Sequence, residues 1–275
     1  MRMLRSTLAT LAFCLLLPSG TLSADRARLE VFLEVTGFDV SLDSIRLSAS
    51  AAPEMLGLEA DDFGSEWTRL TSKVFNIADM HQMAFDILSK TLSDDLLSHA
   101  IEFYATDLGR RLVLTENASH MDEQDALRSE SGRAILAGLE RLNSPRLDYL
   151  RRMNAAADSS GTALRAIQEV QVRFLMAAAN AGVINLQLEE QDLRALLSAD
   201  EDAVRADMDH SALIGAADTY QAYSDVEVLS YARSLEHPKM RQVYDLMNAV
   251  QYEIMANRFE ALALAMQNLQ PSQDL

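Results

Sequence analysis

From residue 26 onward, apolar residues recur in this chain with the spacing of a helix. Leu29, Phe32 and Leu33 fall on one face of a first segment. Leu164, Ile167, Val170, Phe174 and Ala178 do so later, and Met240, Val243, Met247, Val250 and Ile254 form the longest stripe. No stretch alternates apolar and polar residues with the β-branched and aromatic content of a strand, so no sheet is expected.

Punctuation divides the pattern into elements. A helix over 26–36 stops at Gly37, a left-handed cap residue by preference. A second, over 40–51, ends before Pro53, and 54–64 reads as a loop or short turn. Residues 66–90 form a long helix with an interruption near Asn76. Ser93 caps a helix whose first residues, Asp94 and Asp95, complement the helix dipole. A turn at 106–109 leads into the next helix, 122–142 is another, and Pro145 opens one more at a first-turn position. Asp158-Ser159-Ser160-Gly161 reads as a linker. Gly182 ends the helix that follows it, 189–223 holds two or more helices, Ser224-Asp225 repeats the capping chemistry of Ser93-Asp94, and Pro238 begins the last helix. The expected fold is all-α, an array of antiparallel helix pairs in two related halves. Residues 1–24 would be a leader, 25–157 an N-terminal unit and 162–270 a C-terminal unit.

The relation between halves rests on an internal shift. Displacing the chain by 131 positions superposes Ser93-Asp94 on Ser224-Asp225, Arg110 on Arg241, and Asn117-Ala118 on Asn248-Ala249. Leu97 then faces Val228 and Leu112 faces Val243, so the apolar positions agree as well as the caps. Units of this kind bury their apolar faces against one another.

The first unit also contains Phe103-Tyr104-Ala105-Thr106-Asp107-Leu108-Gly109-Arg110-Arg111-Leu112. This run resembles the signature of a family of exported bacterial helical proteins, domain of unknown function twenty fifty-nine. The signature is an aromatic pair, a small or hydroxyl residue, often a proline, then glycine followed by basic residues. Asp107 stands where proline is common, and the second unit has His237-Pro238 but places Met240 at the glycine position. The resemblance implies an all-helical fold and a Gram-negative periplasmic location, and it implies no activity.

Composition narrows the classes. Glycine and proline are sparse, and the abundant Ala, Leu, Glu, Gln and Met favour helix over long windows. The hydrophobic fraction of 49% supplies a core despite a formal charge of −17, and that charge repels nucleic acid and anionic lipid. Arg2 and Arg5, the apolar run Leu8 to Leu17 and the small residues Ser23 and Ala24 read as a cleaved secretory signal. Cys14, the one cysteine, lies inside that run, so neither a disulfide nor a thiolate site is expected in the mature chain.

Candidate chemistry is thin. Met80-His81-Gln82-Met83 offers soft ligands for monovalent copper, although methionine at this spacing more often fills a core. The acids Asp200, Glu201, Asp202, Asp207 and Asp209 lack the spacing and central glycine of a calcium loop. Gly109, Arg110 and Arg111 form a candidate turn for binding an anion or for close helix packing. No catalytic residue, cofactor or metal ligand set is expected. The expected function is a non-catalytic periplasmic binding or scaffolding protein whose partner is another cell-envelope protein, with no membrane insertion after signal cleavage. The alternatives are a carrier for a small apolar or lipidic ligand held between the halves, and an envelope enzyme.

Overall fold

A computed structural model describes residues 26–58 and 64–267. The leader expectations, Cys14 included, lie outside them. The described residues form α1 (Arg26–Thr36), α2 (Phe38–Ser44), a 3-10 helix (Ile45–Ala51), α3 (Ala52–Met55), α4 (Gly64–Val74), α5 (Ile77–Thr91), α6 (Asp94–Tyr104) and α7 (Asp107–His120). They continue through α8 (Asp125–Arg141), α9 (Arg146–Ala157), α10 (Ala163–Asn180), α11 (Glu190–Leu197), α12 (Glu201–Thr219), α13 (Asp225–Leu235) and α14 (Pro238–Met266). No strand occurs among the described residues, and the fold is all-α.

Local chemistry sets most of the boundaries. Asn76 caps α5, which separates it from α4 and breaks the long helix where the sequence weakens. Ser93, Thr106 and Ser224 each accept a backbone N–H at the start of α6, α7 and α13. Gly37 and Gly182 adopt left-handed backbone after α1 and α10. The expected linker is a tied turn: both carboxylate oxygens of Asp158 accept backbone N–H groups, from Thr162 and Ala163, and so cap α10.

The 29-residue α14 is the centre of the molecule. Its buried stripe, Met240 through Ile254, continues through Phe259, Leu262 and Met266. Helices from both halves pack on it, with α10 covering it most extensively and α4, α5, α6 and α9 also against it. One continuous apolar core therefore includes residues of both halves. Each fully buried Leu, Phe or Met in it contributes about 1.5–3 kcal/mol relative to exposure.

Pairing directions are mixed, which corrects the uniformly antiparallel array. Arg128 meets Asp218 and Gly132 lies against Ile214, so α8 and α12 run antiparallel. Ser159 meets Asp245 while Phe174 packs edge-on against Phe259, so α10 and α14 run parallel. Arg146 with Asp225 and Arg152 with Glu236 give α9 and α13 the same relation. Short connections enforce antiparallel neighbours. These partners are far apart in the chain, and α11 to α13 carry it back to the end from which α14 starts.

Candidate functional site

The capped pairs α6–α7 and α13–α14 share helix boundaries and buried positions at the 131-residue shift. Both first helices have 11 residues, a serine N-cap, and a second N-cap two residues after they end. Leu97, Ala100 and Tyr104 are buried on α6, and the matching Val228, Tyr231 and Leu235 are buried on α13.

Between α7 and α14 lies a half-enclosed cleft of about 170 Å³. Two of its walls come from positions related by the shift: Glu116, Asn117 and His120 from α7, and the apolar Met247 with Asn248 and Gln251 from α14. The turn at Gly37 closes one side, and a Cβ there would strike the Asn117 amide, so this wall requires glycine for space as well as for backbone sign. A second hollow of about 320 Å³ shares Glu116, His120 and Tyr244 with the first and extends to Arg128, Thr219 and Tyr220.

Four tyrosines converge where the hollows meet. The hydroxyls of Tyr104, Tyr231 and Tyr244 form a triangle, with 3.1 Å between Tyr104 and Tyr231, 2.5 Å between Tyr104 and Tyr244, and 3.1 Å between Tyr231 and Tyr244. Tyr220 donates to Glu116 Oε1 at 2.7 Å. Burial pushes the Glu116 carboxyl above the usual carboxylate range, against the hydrogen bond from Tyr220 that favours its ionised form. Burial likewise raises all four phenols, and the nearby Glu116 charge adds to it. His120 is held below its ordinary value, first by desolvation and then by Arg128.

Two arginines frame this cluster. Arg146, almost fully buried, donates to the carbonyl oxygens of Tyr220 and Tyr223 and pairs with Asp225 at 2.9 Å, which fixes the segment between α12 and α13. Arg128 joins the end of α7 to the end of α12 through the Ser119 carbonyl, Thr219 and Asp218.

The residues singled out from sequence lie elsewhere. Gly109 is buried, and a side chain there would run into the backbone of Phe103 and Tyr104, so α7 starts in close contact with the end of α6. Its N–H donates to Thr106 Oγ1. Arg110 pairs with Asp107, and Arg111 pairs with Glu227 while lying over the Tyr223 ring. In this arrangement the turn is a packing turn, with both guanidinium groups engaged by acids of the chain. Met80 is fully buried in the core, Met83 packs beside it, and His81 Nε2 lies 2.8 Å from Asp43. The acids of 200–209 are exposed or half-buried along α12 and its approach.

The tyrosine–glutamate cluster and the cleft were not singled out from sequence. The available signal was the shift itself, which pairs Asn117 with Asn248 and sets Glu116 opposite Met247.

Comparison with protein-family models matches residues 78–137 to the family described as "Uncharacterized protein conserved in bacteria (DUF2059)". The match runs from the second residue of α5 into α8 and includes residues 103–112. Comparisons with curated proteins and with solved structures gave no match.

Proposed function

We propose that this chain, whose residues 78–137 match an uncharacterised bacterial family, is a non-catalytic binding protein of the cell envelope, exported by a cleaved signal peptide, whose ligand occupies the cleft between α7 and α14. The observation that carries the reading is the set of convergent polar groups, Glu116, Asn117, Asn248 and Gln251, in a concavity between two equivalent helices. Sites for small ligands combine such a concavity with a few polar groups that fix orientation.

The two capped pairs are proposed to be divergent copies of one ancestral unit. Their common cap positions, the equal length of their first helices and their matching buried positions support this. Size then separates the binding readings. Hollows of about 170 and 320 Å³ suit a small molecule better than a partner's helix, and a few polar groups set in largely apolar walls suit a ligand with one polar end. Export is supported by the basic, apolar and small-residue order of the first 24 residues, and no described helix is long and apolar enough to cross a membrane.

The test is native mass spectrometry of tagged chain recovered from the envelope, beside a Gln251→Trp variant that fills the cleft. A small molecule retained by the wild type and lost from the variant is the expected result. A stoichiometric protein partner held equally by both would replace this reading with the scaffold one.

A further inference from the structure

The nature of the ligand can be drawn from which polar atoms the cleft leaves unused. This step rests on the cleft being the binding site. Glu116 forms no ion pair among the described residues, and the groups that hydrogen-bond to it are neutral phenols, Tyr220 at 2.7 Å and, after it, Tyr231. Carboxylates this enclosed are ordinarily paired with a cation. Arg128, the basic residue on the neighbouring wall, is already taken by Asp218 at 3.1 Å.

The phenol protons are also accounted for. A tyrosine has one hydroxyl proton. Three contacts within the Tyr104–Tyr231–Tyr244 triangle use three protons, and Tyr220 spends its own on Glu116. No phenol proton then points into the cleft, while phenol lone pairs remain. Asn248 uses its amide Nδ2 on the Ala157 carbonyl at 2.8 Å, which leaves its Oδ1 as an acceptor. Gln251 Oε1 is occupied by the Ser41 hydroxyl. The cleft therefore offers a carboxylate, phenol oxygens and the Asn248 amide oxygen beside aromatic rings, with the amide N–H groups of Asn117 and Gln251 as its donors.

That set is complementary to a group with several N–H donors and a positive charge. We infer that the cleft between α7 and α14 binds a small organic cation through its primary ammonium group, with Glu116 as the counter-ion. The carboxylate supplies the charge, the phenol and amide oxygens accept the remaining N–H groups, and the tyrosine rings favour the cation electrostatically. The excess of acids in the whole chain raises the local concentration of such ligands.

The experiment uses the full chain with 13C-labelled tyrosine rings and three probes of one size: n-butylammonium, 1-butanol and butyrate. Butylammonium should shift the rings of Tyr104, Tyr231 and Tyr244 saturably, and about tenfold more tightly than 1-butanol. Glu116→Gln should remove about that tenfold advantage, while Glu227→Gln, which changes an acid paired with Arg111 at the surface, should not. Equal affinity for the ammonium and the alcohol in the wild type overturns the inference without recourse to any variant. So does full ammonium affinity in a folded Glu116→Gln chain. If butyrate or butanol moves these rings and butylammonium does not, the cation inference fails and the cleft reading stands. If none of the three moves them, both fail.

Discussion

The pairs α6–α7 and α13–α14 begin alike and end differently. Each starts with a serine cap, an 11-residue helix and a second cap at the same distance. Past that point α7 stops after 14 residues at His120, whereas α14 continues to 29 and becomes the axis of the core. At the third residue of the second helix the first pair has Gly109 and the second has Met240. Gly109 lets α7 lie directly against α6, while Met240 is a fully buried thioether that fills the space a wider approach leaves. One turn pattern thus gives a short helix free to present a polar face and a long helix that holds the protein together. Glu116 against Met247 shows the ionisable carboxyl kept on the short arm, although Asn248 and Gln251 still give the long helix a polar side toward the cleft.

The largest expected effect comes from exchanging these roles. Met240→Ala should cost about 2–5 kcal/mol, because it empties a volume that the central helix cannot collapse into. Gly109→Ala should cost less, about 1–3 kcal/mol, since the added methyl must push α7 away from the backbone of Phe103 and Tyr104. Urea unfolding with the slope monitored checks both. A neutral Gly109→Ala would mean that the close approach of α7 to α6 is not required.

Next in size is the tyrosine triangle, which also joins the two pairs. Tyr104 sits at the end of α6, and the equivalent residue on α13 is Leu235. Tyr104→Phe leaves the hydroxyls of Tyr231 and Tyr244 short of a partner in a buried site, at a cost of about 1–3 kcal/mol. Thermal unfolding measures it. A change below the error would show that water takes the vacated position.

The caps were legible in the sequence because capping is local. Ser93 and Ser224 with following acids, Asn76 inside a long apolar pattern, and Pro145 and Pro238 at helix starts each act within one turn of where they stand. The core stripe of α14 was legible for the same reason, since its period is visible in one segment. The cleft was not. Tyr104, Tyr220, Tyr231 and Tyr244 meet Glu116 only after α6, α7, α12, α13 and α14 have packed, and nothing in the neighbourhood of Glu116 in the chain distinguishes it from the other acids. The parallel course of α10 and α14 was hidden likewise, because periodicity fixes which face is buried and not the direction of the partner.

A smaller difference separates the caps themselves. Ser224 is part of a reciprocal capping box in which Glu227 returns a hydrogen bond to the Ser224 backbone, whereas Ser93 has Leu96 at that position. Ser224→Ala should therefore destabilise more than Ser93→Ala, with both within about 0.5–2 kcal/mol. Chemical unfolding of the two variants in parallel ranks them. Equal losses would show that Glu227 acts through Arg111 alone.

The smallest effect is in the pH dependence, where Glu116 and Glu227 should act with opposite sign. Arg111 first, and then Ser224, lower the Glu227 carboxyl to about 2. Its stabilising contribution is present above the ordinary value of 4.5 and is lost as pH falls toward about 2. Burial raises Glu116 instead, so the native state holds its proton more tightly than the unfolded chain does. Stability linked to Glu116 is then full below 4.5 and declines as pH rises through the raised native value. The titratable groups that share its two hollows are Tyr104 from α6, His120 from its own helix, Arg128 from α8, Tyr220 beyond α12, Tyr231 from α13 and Tyr244 from α14, and of these Tyr220 and Tyr231 oppose the rise by hydrogen bonding. Melting temperatures across acid to neutral pH should show Glu227→Gln losing its deficit toward acid, and Glu116→Gln gaining on the wild type toward neutral. Parallel curves for Glu116→Gln and the wild type would mean that water reaches the carboxylate freely. That result would also weaken the case for an ammonium ligand, because a solvated carboxylate needs no counter-ion from outside.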